Sequence, residues 1–132
     1  MGQKVACKKL DEPVGKHCIA ELCGGCSFLL DDEDFVKAAL KGAALKAKAT
    51  LLKISSHKFE PQGVTAIALL AESHISIHTW PQTGYAAVDA FTCGKTCDPE
   101  AACRHLEETF KCKTSSKTIL VRTAPQHLLA MV

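Results

Sequence analysis

Aromatic side chains are scarce in this chain, at 5% of its 132 residues. Such scarcity argues against a surface that stacks on nucleic-acid bases. Net charge is nearly absent as well. Sixteen Lys+Arg against fourteen Asp+Glu leave +2, too little to attract nucleic acid or a membrane surface. No apolar run has the length of a membrane span. The opening M-G-Q-K-V-A-C-K-K-L is too polar for a secretion signal. Ala6 stands where a myristoylation signal needs Ser or Thr. Gly-rich phosphate loops, solenoid repeats and low-complexity tracts are missing too. These absences lead to the expectation of a cytoplasmic protein without nucleic-acid or membrane partners. In that compartment the eight cysteines are expected to be mostly reduced.

What is present suffices for one ordinary domain. Hydrophobic residues make up 47% of the chain and charged residues 23%, as in globular proteins generally. A polar tail is expected over 1–14, a single domain over 15–122, and a second tail over 123–132. His17 to Leu22 reads as a first strand, broken by Gly24 and Gly25. Asp31 or Asp32 can cap a helix in which Val36, Leu40, Ala43 and Ala47 share a face. Gly42 weakens that helix by about 1 kcal/mol relative to Ala. Thr50 to Phe59 has strand character, and Pro61-Gln62-Gly63 reads as a turn. Val64 to Ala71 is apolar on both faces, which predicts a buried central strand. Ile75 to Trp80 and Ala86 to Cys93 follow as strands. Asp98-Pro99 opens a second helix, and Thr118 to Val121 is a last strand. The order β-α-β-β then β-β-α-β predicts a two-layer α/β (α+β) sandwich. Its sheet is largely antiparallel, with two helices on one face. The other face then needs a cover, and a second copy is the simplest one.

Cysteine offers one route to chemistry. Cys23 and Cys26 have C-x2-C spacing, while Cys93 and Cys97 make a looser C-x3-C pair. Together they suggest a four-thiolate zinc site, set against the plainer reading of reduced, partly buried thiols. Cys7, Cys18, Cys103 and Cys112 take the plainer reading. Cys93 differs because it ends a strand just before Gly94. A thiol there can be aimed at a pocket and give up a proton near neutral pH.

The second route is the stretch Leu70 to Pro81, L-A-E-S-H-I-S-I-H-T-W-P. It gathers Glu72, Ser73, His74, Ser76, His78 and Trp80 beside the apolar run. Polar groups at the end of a buried strand are costly to desolvate, and chemistry is one use that would justify them. A half-buried strand with a polar face is the alternative. Ser73 lacks a G-x-S-x-G setting, so no hydrolase elbow is indicated. Strand alternation puts Ser73 and His78 on opposite faces. Cooperation between them requires the backbone at Ser73 to leave the regular strand, through a strained or broken Glu72-Ser73 peptide.

Four segments together resemble one family. They are G-K-H-C-I-A-E-L at 15–22, S-H-K-F-E-P-Q-G-V at 56–64, A-E-S-H-I-S-I-H-T-W-P at 71–81 and G-Y-A-A-V-D-A-F-T-C-G at 84–94. They are similar to the S-adenosylmethionine decarboxylases of the short prokaryotic type, a family of pyruvoyl enzymes. The resemblance spans residues 15 to 121 and implies self-cleavage between Glu72 and Ser73. The Ser73 hydroxyl attacks the Glu72 carbonyl, the amide becomes an ester, and elimination then hydrolysis leave a pyruvoyl group. The products are a β chain, 1–72, and an α chain, 73–132. The keto group forms a Schiff base with the substrate amine and takes up the electrons released by decarboxylation. The resulting aminopropyl donor feeds spermidine synthesis.

The same resemblance assigns roles. His78 moves protons during processing, assisted by Thr65, which stands where the family commonly has serine. Cys93 protonates the substrate carbon. Phe59 stacks on adenine, and Glu21 and Gln82 bind substrate. The family assembles a homodimer of αβ units. One position departs from the pattern: Thr79-Trp80-Pro81 is followed by Gln82 rather than the usual Glu. Gln82 offers one acceptor and a donor amide in place of a carboxylate, a loss of ~1–3 kcal/mol in ribose binding. Two alternatives stay open at this level. One is the same pyruvoyl chemistry on arginine or ornithine. The other is a non-processing paralogue or cysteine-based metal module.

Overall fold

A computed structural model describes residues 14–124. The expected tails therefore lie outside the described residues, apart from Val14, Thr123 and Ala124. Six strands form one antiparallel sheet: β1 (Gly15–Cys23), β2 (Leu51–Lys58), β3 (Val64–Leu70), β4 (Ser73–Trp80), β5 (Tyr85–Cys93) and β6 (Thr114–Arg122). They lie side by side in the order β2-β3-β4-β5-β1-β6. Three helices accompany them: α1 (Ser27–Leu30), α2 (Glu33–Lys46) and α3 (Pro99–Thr109). The α+β sandwich read from the sequence is what the chain forms, with one short helix more than the two expected.

The helices begin where the sequence places them. Asp32 accepts a hydrogen bond from the Phe35 amide, and Asp98 accepts one from Ala101. Each cap satisfies an amide that the first turn leaves unpaired. Val36, Leu40, Ala43 and Ala47 are all buried against the sheet. Gly42 has a reason to be there. A Cβ on it would lie 2.4 Å from Nε2 of His105 on α3, so its absence lets the two helices approach closely. Thr79 ties α1 to the sheet: its hydroxyl donates to the Leu30 carbonyl at 2.7 Å and accepts from the Val64 amide at 2.9 Å.

The core lies between helices and sheet. Cys18, Ala20 and Leu22 of β1, Ala66 and Ala68 of β3, Ile75 and Ile77 of β4, and Val88 and Ala90 of β5 point into it. The opposite face is uncovered, which corrects one expectation. β3 is not buried on both sides. Its alternate residues Ile67 and Leu69 are 38% and 47% exposed. A largely apolar run records two apolar faces, and here the helices cover only one of them. The last strand also begins earlier than expected, at Thr114. Its polar start, T-S-S-K, pairs with β1 through Cys23↔Thr114 to Ala20↔Lys117.

Candidate active site

The candidate residues fall into two groups at opposite ends of the sheet. At one end β3 and β4 are joined by Ala71 and Glu72 alone, because Leu70 pairs with Ser73. Two-residue hairpins need positive φ inside the turn, usually supplied by Gly or Asn. Ala and Glu resist it, and among the described residues neither has it. Ser73 carries the positive φ instead, at +142°. A side-chain-bearing residue held there is strained. The strand does not break at Ser73. It stays paired with Leu70 and with Thr92 of β5.

The neighbours of this strained residue are specific. The Glu72 carbonyl accepts a hydrogen bond from the Cys93 amide at 2.9 Å. The Glu72 carboxylate accepts from the Thr50 amide at 2.9 Å and from the Thr50 hydroxyl at 3.1 Å. These donors hold its pKa below the usual carboxylate range, the amide contributing most. The Ser73 hydroxyl lies 3.3 Å from Nδ1 of His74. Cys93, half-buried at the end of β5, shares this corner. The thiol of Cys97 is pushed up by burial and by the nearby charges of Glu72 and Cys93.

The second group sits at the other end. Thr65 and His78 are cross-strand partners on β3 and β4, with Thr65 Oγ1 2.9 Å from His78 Nδ1. The Tyr85 hydroxyl donates to Glu21, and that bond, with burial, pushes the Tyr85 pKa up to about 12. Trp80 stacks on Tyr85 at 5.2 Å between centroids. Phe59 is 46% exposed just beyond β2 and meets His57 edge-on at 4.6 Å. Its loop is closed by the Phe59 amide on the Gly63 carbonyl at 2.8 Å. The loop is pinned by Asp31, which accepts from the Gly63 amide at 2.8 Å and lies 3.1 Å from the Lys58 ammonium. Gln82 is exposed in the turn between β4 and β5.

The structure thus joins Thr65 to His78, and Glu72 and Ser73 to Cys93, but it separates the two sets. Four residues of continuous strand lie between Ser73 and His78, five steps that span roughly 17 Å at the usual rise. Glu21 pairs with Ala87, six residues along β5 from Cys93, about 20 Å away. The strain that cooperation between Ser73 and His78 requires is present at Ser73, while the strand keeps the two residues apart within one chain. The four-thiolate zinc reading also fails. Cys93 pairs with Gly15, and Cys23 lies eight residues further along β1, about 26 Å distant. Among the described residues no three His, Cys, Asp or Glu side chains are grouped to hold a metal. Cys18 and Cys103 are buried, as expected, and Cys112 is half-buried; Cys7 lies outside the described residues.

Sequence reasoning missed Thr50, His74 and Tyr85. His74 stood inside the motif and its adjacency to Ser73 was a signal. Nothing in the sequence links Thr50 to Glu72, or Tyr85 to Glu21, because those contacts are made by register alone.

A serine under strain, with its preceding carbonyl already hydrogen-bonded, has the chemistry of a self-cleaving precursor. The family model for S-adenosylmethionine decarboxylase matches residues 16–123. The chain belongs to the S-adenosylmethionine decarboxylase family. Among members of this family, the S-adenosylmethionine decarboxylase proenzyme of Synechococcus sp. (strain WH7803) is 55% identical over 112 residues, 85% of this chain and 88% of that protein. The proenzyme of the same name from Clostridium kluyveri (strain ATCC 8527) is 41% identical over 109 residues, 83% of this chain and 86% of its own length. The crystal structure of the adenosylmethionine decarboxylase from Aquifex aeolicus VF5 superposes with a TM-score of 0.80 at 34% identity. The match covers 86% of this chain and 93% of that one. Among the described residues of this family member, no helix is long and apolar enough to cross a membrane.

Proposed function

We propose that this chain is the precursor of a pyruvoyl-dependent decarboxylase that acts on S-adenosylmethionine. One observation carries the reading: Ser73 holds a φ of +142° immediately after a peptide carbonyl that accepts from the Cys93 amide. Attack by the Ser73 hydroxyl on the Glu72 carbonyl carbon forms a C–O bond and breaks the C–N bond. The hydroxyl proton passes to the freed amine of residue 73. The Cys93 amide is placed to steady the negative charge that develops on the Glu72 oxygen. Loss of the Cα proton then breaks the Cβ–O bond and expels the main-chain carboxylate of Glu72, and water replaces nitrogen at residue 73 with release of ammonia. The domain over 15–122 becomes two chains, 1–72 and 73–132.

The residues present fit the resulting keto group. It would stand at the start of β4, beside Cys93 and His74. Once formed, it supplies the electron sink that decarboxylation of an amino acid requires. Cys93 is the proton donor to the substrate carbon. Thr65 orients His78 through their shared hydrogen bond, and His78 removes the Cα proton in processing. The distance between Ser73 and His78 requires that this histidine come from a second copy. A homodimer of αβ units whose open faces meet about a two-fold axis sets one copy's Ser73 end against the other copy's His78 end. It also covers Ile67, Leu69 and Trp80. Phe59, Glu21 and Gln82 belong to the same far end and line the substrate side of the completed site. Glu21 is oriented by Tyr85, and the Phe59 loop by Asp31.

Intact mass of freshly purified protein tests the reading. Two fragments divided at Glu72-Ser73 are expected, with the larger-numbered one carrying a ketone in place of the serine amine. Carbon dioxide release from S-adenosylmethionine is expected, and none from arginine or ornithine. Ser73→Ala should remain one chain and be inactive. Cleavage in that variant, or a ketone-free wild type, would overturn the proposal.

A further inference from the structure

Residue 72 is restrained more than a hairpin requires. Its carbonyl is held by the Cys93 amide, and both carboxylate oxygens are held by Thr50, one through the amide and one through the hydroxyl. The Thr50 carbonyl in turn accepts from the Ala71 amide at 2.9 Å. A two-residue turn made of Ala71 and Glu72 would relax by letting one of them take up the positive φ. Glu72 is not free to do so while its side chain is tethered to the start of β2. The unfavourable conformation is therefore left on Ser73, the residue whose hydroxyl must reach the carbonyl just before it.

Resting on the self-cleavage reading above, we propose that Thr50 is a positioning residue for that reaction. It acts through the Glu72 side chain, keeping the Glu72 carbonyl on the Cys93 amide and the strain on Ser73. Thr50 touches neither the attacking oxygen nor the bond that breaks. Its hydroxyl contributes one of two tethers to a charged carboxylate, so removing it should weaken the restraint without abolishing it. After cleavage the same bonds retain Glu72, now the end of its chain, beside Cys93.

The test follows fragment appearance in newly synthesised precursor by intact mass, a measurement independent of decarboxylase turnover. Thr50→Val, which loses only the hydroxyl, is expected to slow cleavage about tenfold. Thr50→Ser, which restores it, should return the rate to near that of wild type. In a Glu72→Ala background the Thr50→Val change should add nothing, since the two act as a unit. Thermal melting of each substitution combined with Ser73→Ala establishes that the uncut variants fold. Cleavage of Thr50→Val at the wild-type rate would overturn the proposal. So would a full Thr50→Val effect without Glu72, or a Thr50→Ser variant as slow as Thr50→Val. A wild-type chain that never cleaves overturns instead the reading on which this one rests, and this one with it.

Discussion

Cys93 has two separable parts in the proposed reaction. Its amide holds the Glu72 carbonyl, and its thiol is the proposed proton donor to the substrate carbon. A substitution at the side chain leaves the first part intact. Cys93→Ala is therefore expected to cleave at close to the normal rate, yet to decarboxylate at least tenfold more slowly or to release a wrongly protonated product. Mass analysis of the protein and of the product separates these outcomes, and clean turnover would remove the thiol from the mechanism. At this scale the sequence was most legible. Ser73, Glu72, His78 and Cys93 are residue types that announce reactivity, and parity along the strand pointed to a conformational problem at Ser73. What parity could not supply was the remedy. It suggested that the strand would give way, whereas the ladder stays intact and one dihedral carries the load. Thr50 was invisible for a different reason: it is an ordinary hydroxyl, 22 residues from Glu72, made relevant by the pairing of β2 with β3.

Among the elements, α2 and α3 show how close packing tunes a side chain. His105 of α3 lies against Gly42 of α2, with Thr109 Oγ1 3.3 Å from its Nε2. Burial lowers its pKa from 6.5, and the charge of Lys46 lowers it further against a smaller opposing pull from Glu108. The folded chain thus resists a proton that the unfolded chain accepts. Stability from this group is full above the unfolded value of 6.5 and is lost as pH falls through the lower folded value. Melting temperature of the uncut Ser73→Ala protein should fall between pH 7 and pH 5, and His105→Gln should flatten that slope. An unchanged slope would place its origin elsewhere. The long elements were readable because their caps and periods agree, as at Asp32 and Asp98. Helix α1 was not. Four residues are too few to show a period, and the preceding Cys23-Gly24-Gly25-Cys26 suggests a loop. β3 misled for the opposite reason, since apolar residues on an uncovered face look the same in sequence as buried ones.

For the molecule as a whole, the separation of roughly 17 Å between Ser73 and His78 has a direct genetic consequence. Neither Ser73→Ala nor His78→Ala alone should give appreciable cleavage. Co-expressed, the two variants can form a mixed dimer in which the His78→Ala copy meets an intact histidine from its partner. Cleavage confined to the His78→Ala copy, in up to half of the sites, is the expected result on a denaturing gel. Complete failure of the mixture, with mixed dimers shown to form, would return both residues to one chain. The open sheet face was legible from the count of helices against the count of sheet faces. The separation of Ser73 from His78 was not, because sequence motifs record residue types and not how far apart the sheet holds them.

The bond proposed to break lies between two adjacent strands deep in the sheet, β3 and β4, which face each other over six paired positions. Each also has another neighbour, β2 or β5, so the cut leaves both halves locked in place. The folding history of such a molecule runs in one direction. The intact precursor reaches its shape as a single polymer, whereas the nicked product, once melted, would have to reassemble from separate pieces whose encounter depends on dilution. Its durability after maturation is then governed by how slowly it opens, since opening discards the covalent memory that guided its assembly.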